Sequence, residues 1–122
     1  MSTRERILEY LKIESRNRLV PQVYYELKIQ GDEIILMPQD GEKDVIVRDK
    51  ELLYLLNGFN FDRWRRRYER KDACVMGGME WSIRYRYRDC EEKKITGHAM
   101  FPNSWYRLLK VIYQLDLKAL DA

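Results

Sequence analysis

Apolar and polar residues alternate along this chain with two different periods. Ile7, Leu8 and Leu11, with Tyr10 beside them, repeat at helical spacing, and Ser2 with Glu5 three residues on fits a capping box. A first helix is therefore expected to about Ser15, with Arg16-Asn17-Arg18 as a polar exit and Pro21 barring extension. From Val23 to Gln30 the period drops to two, with Val23, Tyr25, Leu27 and Ile29 set against Tyr24, Glu26 and Lys28. Tyr24 and Tyr25 cannot both be buried on one face of such a strand. Gly31-Asp32 is a hairpin turn, Glu33–Met37 a return strand ended by Pro38, and Asp44–Arg48 a third strand after Asp40-Gly41. Asp49 caps a short helix over Leu52, Leu53, Leu55 and Leu56 that stops at Asn57-Gly58.

The next segment reads best as a helix over 61–70. Phe61, Trp64, Arg65 and Tyr68 fall on one face, Arg63, Arg66, Arg67 and Arg70 spread over the rest, and Asp62 or Asn60 caps it. Read as a strand, it would put Arg63, Arg65 and Arg67 on one face and separate charge from aromatics less well. After the Gly77-Gly78 break, Glu80–Arg88 is the clearest strand. Trp81, Ile83, Tyr85 and Tyr87 share one face and Ser82, Arg84, Arg86 and Arg88 the other. Asp89-Cys90-Glu91-Glu92 turns into a strand over Lys93–Ala99, where Gly97 marks a bulge or a close approach. Asn103 caps a last helix with Trp105, Leu108, Leu109, Ile112 and Leu115 inside.

The predicted order is α-β-β-β-α-α-β-β-α over one domain, residues 1–122. An antiparallel sheet of about five strands with helices packed mainly on one face satisfies it, an α+β fold. The other face is left to solvent, and the arginine ladder would emerge there. Composition agrees with a folded domain. Apolar residues make up 45% of 122, and nine Tyr, three Trp and three Phe supply core that disordered chains lack. No apolar leader pattern opens the chain, and the longest apolar run, Leu52–Leu56, is far too short to span a bilayer. These features predict a cytoplasmic protein with no membrane partner, in which Cys74 and Cys90 stay reduced.

Charge changes the picture. Residues 63–71 carry a local net of +5 and the alternating Arg84, Arg86 and Arg88 a further +3, which leaves −5 for the rest of a chain whose formal net is +3. Arginine makes forked hydrogen bonds to carboxylate and phosphate and stacks on planar groups. The expected binding residues are Arg63, Arg66, Arg67, Arg70, Arg84, Arg86 and Arg88, with Trp64 and Tyr68 supporting. Their partner would be an acidic protein surface or a ribonucleoprotein, with nucleic acid as the alternative, the chain then acting as an RNA- or DNA-binding regulator. The competing reading is a solvated face whose arginines are balanced by Glu26, Glu33, Glu42, Glu91 and Glu92. Trp81, Tyr85 and Tyr87 suit a core better than a base-stacking platform.

Catalytic chemistry finds little support, and a non-enzymatic protein without cofactor is expected. One histidine, His98, and two separated cysteines do not make a zinc ligand set. His98 paired with Glu80 or Glu92 as a general base has no nucleophile motif beside it. Glu92-Lys93-Lys94, with Asp72 or Asp89, has the carboxylate-x-lysine spacing of magnesium nucleases but falls at a hairpin turn. Gly77-Gly78 lacks any phosphate-loop pattern.

Trp81-Ser82-Ile83-Arg84-Tyr85, followed through Thr96-Gly97 to Phe101-Pro102-Asn103-Ser104-Trp105, resembles a pattern of small uncharacterised bacterial proteins carried by phages and mobile elements. That pattern runs from a W-x-aliphatic-x-aromatic strand to a glycine-bearing strand and an aromatic-Pro helix start. It covers about a third of the chain, and this chain replaces the usual short Asp-Gly turn with Asp89-Cys90-Glu91-Glu92. The resemblance implies a binding role against host machinery, such as an inhibitor of a host defence complex of the anti-CRISPR kind, and assigns no catalytic residue. The net positive charge disfavours mimicry of nucleic acid.

Overall fold

The computed structural model describes residues 7–16, 23–69 and 80–120. The expectations resting on Ser2, Glu5, Pro21, Arg70, Lys71, Asp72, Cys74 and Gly77-Gly78 lie outside the described residues. In chain order the elements are β1 (Leu8–Arg16), β2 (Val23–Gln30), β3 (Glu33–Leu36), β4 (Val45–Val47), α1 (Lys50–Asn57), a 3-10 turn (Phe61–Arg63), β5 (Arg67–Glu69), β6 (Glu80–Tyr87), β7 (Lys93–His98) and α2 (Trp105–Leu120). They form a seven-stranded sheet in the order β4-β3-β2-β1-β6-β7-β5. All neighbours pair antiparallel except β5 and β7, which are parallel.

This corrects the expected five-stranded antiparallel sheet and its order, and two segments account for the difference. The first is β1, read from sequence as a helix. Leu8 pairs with Tyr87 and Tyr10 with Arg86, so Glu9 is an extra residue, a bulge. The bulge puts Leu8 and Leu11, three apart, on the same buried face, and the strand then resumes its two-residue period with Ile13 and Ser15. A bulged strand thus displays helical spacing in its sequence.

The second segment is 61–70. Trp64 N–H donates to Phe61 O at 3.1 Å, a single 3-10 turn, and Trp64 itself is extended. A longer helix would need the Phe61 carbonyl to take the Arg65 N–H. Instead that carbonyl takes Arg66 Nη2 at 2.5 Å, and Arg65 N–H donates to the Tyr68 hydroxyl at 3.1 Å. Side chains have captured the groups a helix requires.

The β2-β3-β4 meander and α1 lie where the alternation and the Asp49 cap place them, with Asp49 Oδ1 accepting from Leu52 N–H at 3.0 Å. Helix α2 starts just after the expected Asn103 cap, Leu108 N–H donating to Ser104 O at 3.0 Å. Both helices contribute to the core that the inner face of the sheet builds, with Leu52, Leu56, Leu108, Ile112 and Leu115 joining Leu11, Ile13, Leu27, Ile34, Ile83 and Ile95. The opposite face of the sheet is left open.

Gly97 answers to a close approach. A Cβ there would sit 2.1 Å from Cε2 of Trp81, whose indole covers the glycine and donates Nε1–H to Met100 O at 2.9 Å. Trp81 also packs on Trp105 with ring centres 4.7 Å apart, which ties α2 to the sheet. Gly97→Ala should therefore displace the indole and destabilise the fold by about 2–3 kcal/mol, the scale of core overpacking. Urea denaturation, with a shift in tryptophan emission, measures it; an unchanged midpoint would show that the indole moves freely.

Candidate functional site

The open face of the sheet is built row by row from strand register. Lys12 of β1 pairs with Glu26 of β2 on one side and Arg84 of β6 on the other, and Arg84 pairs with Lys94 of β7. Three cations therefore stand side by side across three neighbouring strands. The row above holds Lys28, Tyr10 and Arg86. Below come Tyr24, Glu14, Ser82, Thr96 and Arg67, and then Arg16, Glu80, His98 and Glu69. The face is basic towards one end and acidic towards the other.

Carboxylates bind several of these cations. Arg86 Nη1 meets Glu9 Oε1 at 2.9 Å and Arg88 Nε meets Glu9 Oε2 at 3.5 Å, so the bulge residue serves two arginines. Arg84 reaches Glu92 only at 3.9 Å, Arg67 lies 3.6 Å from Glu69, and Lys12 lies 3.3 Å from Glu14. Lys28 and Lys94 have no ion-pair partner among the described residues. Glu26 accepts the hydroxyls of Tyr10 at 2.5 Å and Tyr24 at 2.8 Å. Burial pushes the Glu26 carboxyl upward, but those two hydrogen bonds and the charge of Lys12 outweigh it and hold the group below its usual range. Burial, and then the bond to Glu26, raises the Tyr10 hydroxyl well above the ordinary phenol range.

The sequence-predicted site residues divide into three groups. Arg67, Arg84 and Arg86 share the open face, with Arg88 at the end of the ladder beside Glu9. Arg63 is exposed on the 3-10 turn, and its side chain has no partner among the described residues. Arg66, Trp64 and Tyr68 turn toward the core side of the sheet, Tyr68 buried, Trp64 half-buried and Arg66 still exposed. Arg66 Nη1 donates to the Tyr85 hydroxyl at 2.6 Å and Nη2 to the Phe61 and Trp64 carbonyls, so it clamps the loop before β5 onto β6. The Tyr85 hydroxyl in turn donates to Asp62 at 2.7 Å, and burial followed by that bond pushes it up to about 12 against the pull of Arg66. Trp64 packs edge-on against Phe61, and Tyr68 is buried beside Trp81. Arg70 lies outside the described residues.

Sequence reasoning missed Lys12, Lys28 and Lys94 and the open-face tyrosines Tyr10 and Tyr24. The β2 residues were legible in the alternation around Leu27, whereas Lys12 and Tyr10 were hidden by the bulge. Among the described residues, no cluster of three or more His, Cys, Asp or Glu side chains is arranged to hold a metal ion, and no helix is long and apolar enough to cross a membrane. Cys90 is a free, exposed thiol. Comparison with known protein families, curated proteins and solved structures finds no match for this chain.

Two outcomes follow from this geometry. Glu26→Gln should lower stability at neutral pH by about 1–2 kcal/mol through weakened hydrogen bonds to both tyrosines. Because the folded carboxyl titrates below the ordinary glutamate range, that wild-type advantage is present above that range and is lost as pH falls through the lower folded value. Urea midpoints at pH 7 and along a descending pH series test this, and a difference that does not shrink as pH falls would refute it. Arg66→Gln should cost about 1 kcal/mol by removing the guanidinium donor to the Trp64 carbonyl and the Tyr85 hydroxyl and one of the two donors to the Phe61 carbonyl, as thermal unfolding would register.

Proposed function

We propose that this protein is a non-catalytic, cytoplasmic binding module that docks the acidic surface of a protein or nucleoprotein on the open face of its sheet. The observation that carries the reading is the row Lys12–Arg84–Lys94. Like charges directly opposite one another on a sheet are destabilising by roughly 0.2–1 kcal/mol per pair. The fold gains nothing from aligning three of them, whereas an anionic partner does. Lys28, Arg86, Arg88 and Arg67 extend the patch.

Glu9, Glu14, Glu26 and Glu92 lie among these cations. Such a mosaic fits a protein surface of mixed polarity better than a continuous phosphate backbone, which each interleaved carboxylate repels. A host defence nucleoprotein is the target class that the mobile-element resemblance suggests, and it is part of this proposal.

Arg84→Glu would place an anion between Lys12 and Lys94. It should raise the unfolding free energy by about 0.5–1 kcal/mol while weakening partner capture, because the wild-type row trades stability for binding. The measurement is a pull-down from bacterial lysate, with and without nuclease, comparing wild type with Arg84→Glu and with a Lys12→Glu/Arg84→Glu/Lys94→Glu variant, beside urea denaturation of wild type and Arg84→Glu. A nuclease-resistant protein lost in the variant supports the proposal. Capture that nuclease abolishes would assign the site to RNA or DNA instead, and equal capture by all three proteins would reduce the row to a solvated face.

A further inference from the structure

Helix α2 is apolar on two opposite sides. Trp105, Leu108, Val111, Ile112 and Leu115 face the core, whereas Tyr106, Tyr113, Leu117 and Leu120 are 80%, 61%, 46% and 82% exposed on the far side. A helix that covers a sheet needs only the first stripe. Tyr106, Tyr113 and Leu120 follow one another at intervals of seven, the repeat that keeps a seam facing a single neighbouring helix. The seam runs for about 21 Å at 1.5 Å per residue. Three tyrosines, counting Tyr54 of α1 at 78% exposure, and three leucines, counting Leu55, make up the apolar part of this outer layer. Isolated exposed leucines are ordinary, but an aligned stripe of this kind marks an interaction site.

The same helix borders a groove of about 520 Å³ against α1, lined by Tyr54, Leu55, Phe59, Val111 and Arg107. The cations of α2 flank the seam. Arg107 contacts the Phe59 ring and Ser104, Lys118 pairs with Asp49 at 3.7 Å, and Lys110, between Tyr106 and Tyr113, has no partner among the described residues. The acid of α2, Asp116, lies near the Tyr25 hydroxyl of β2. The outer layer is thus an apolar seam with one basic flank on α2, and exposed Glu51 of α1 stands beside Tyr54 and Leu55.

We infer that this seam is a second docking site, separate from the open sheet face, and that its occupant is an acidic amphipathic helix of a partner protein. Its apolar side would lie along Tyr106–Leu120, on the side of α2 away from the groove, with glutamates or aspartates against Lys110 and Arg107, the partner being read through anchors spaced along an amphipathic helix. A second copy of this chain fits less well. An antiparallel pair of α2 helices sets the basic flank against itself, and a parallel pair offers that flank a single carboxylate of α2, Asp116.

The test uses the full chain and two labelled three-heptad peptides with leucine at the a and d positions. One carries glutamate at e and g, the other lysine. Fluorescence anisotropy should show the acidic peptide binding at least about ten-fold more tightly than the basic one. Tyr113→Ala/Leu117→Ala, both exposed and so neutral to folding, should weaken the acidic peptide by at least about ten-fold, and Lys110→Glu should reverse the peptide preference. The Lys12→Glu/Arg84→Glu/Lys94→Glu variant should bind the acidic peptide as wild type does, which keeps this result independent of the sheet face. No preference between the peptides, or no effect of the Tyr113/Leu117 pair, would overturn the inference. So would sedimentation showing a dimer that Tyr113→Ala dissolves, or seam-dependent partitioning onto anionic phosphatidylserine vesicles.

Discussion

Three polar-tipped aromatics on one face of β6 govern the rest of the molecule. Trp81, Tyr85 and Tyr87 are each almost fully buried, and a buried N–H or O–H must find a partner or cost free energy. The partners come from two stretches of chain, one ahead of α2 and one from Phe59 to Asp62. Trp81 reaches Met100 ahead of α2, Tyr85 reaches Asp62, and Tyr87 donates to Phe59 O at 2.7 Å while accepting from Phe61 N–H at 3.0 Å. The segment from Phe59 to Arg66 cannot wind into a helix while its backbone groups serve these side chains. It crosses instead to the far side of β7 and adds β5 as a parallel edge strand.

The parity of β6 links that core to the candidate site. With Trp81, Ile83, Tyr85 and Tyr87 inward, Ser82, Arg84 and Arg86 must point to the open face, because successive side chains alternate. The flanking strands then decide what surrounds the arginines. The bulge at Glu9 brings a carboxylate to Arg86 and Arg88, which quiets that end of the ladder. No such anion lies directly across from Arg84, whose cross-strand neighbours are Lys12 and Lys94. The centre of the face therefore carries an excess of cations, with Lys12 and Arg84 held by Glu14 and Glu92 from neighbouring positions and Lys94 without an ion-pair partner among the described residues.

Sequence and structure separate most clearly over the arginine-rich stretch 63–70. Composition identifies it as cationic, and its cations serve different purposes once folded. Arg66 satisfies backbone carbonyls, Arg67 joins the open face, and Arg63 remains exposed. Nothing in a run of like residues distinguishes these roles, since each depends on which distant carbonyl, hydroxyl or carboxylate is brought near. The ladder of β6 was legible for the opposite reason. Strict alternation over eight residues fixes the face of every side chain from local geometry alone.

What the sequence by itself determined was everything set by period and capping within one element. That covers the β2-β3-β4 meander, the Asp49-capped α1, the two faces of β6 and the buried stripe of α2. Tertiary structure decided the strand identity of β1, the course of 61–69, the seven-strand order and the company Arg84 keeps. The physical reason is range. Hydrophobic periodicity is read from neighbours two to four residues away, whereas a bulge, a captured carbonyl or a cross-strand charge row exists only when residues tens of positions apart meet, as Glu9 and Arg86 do.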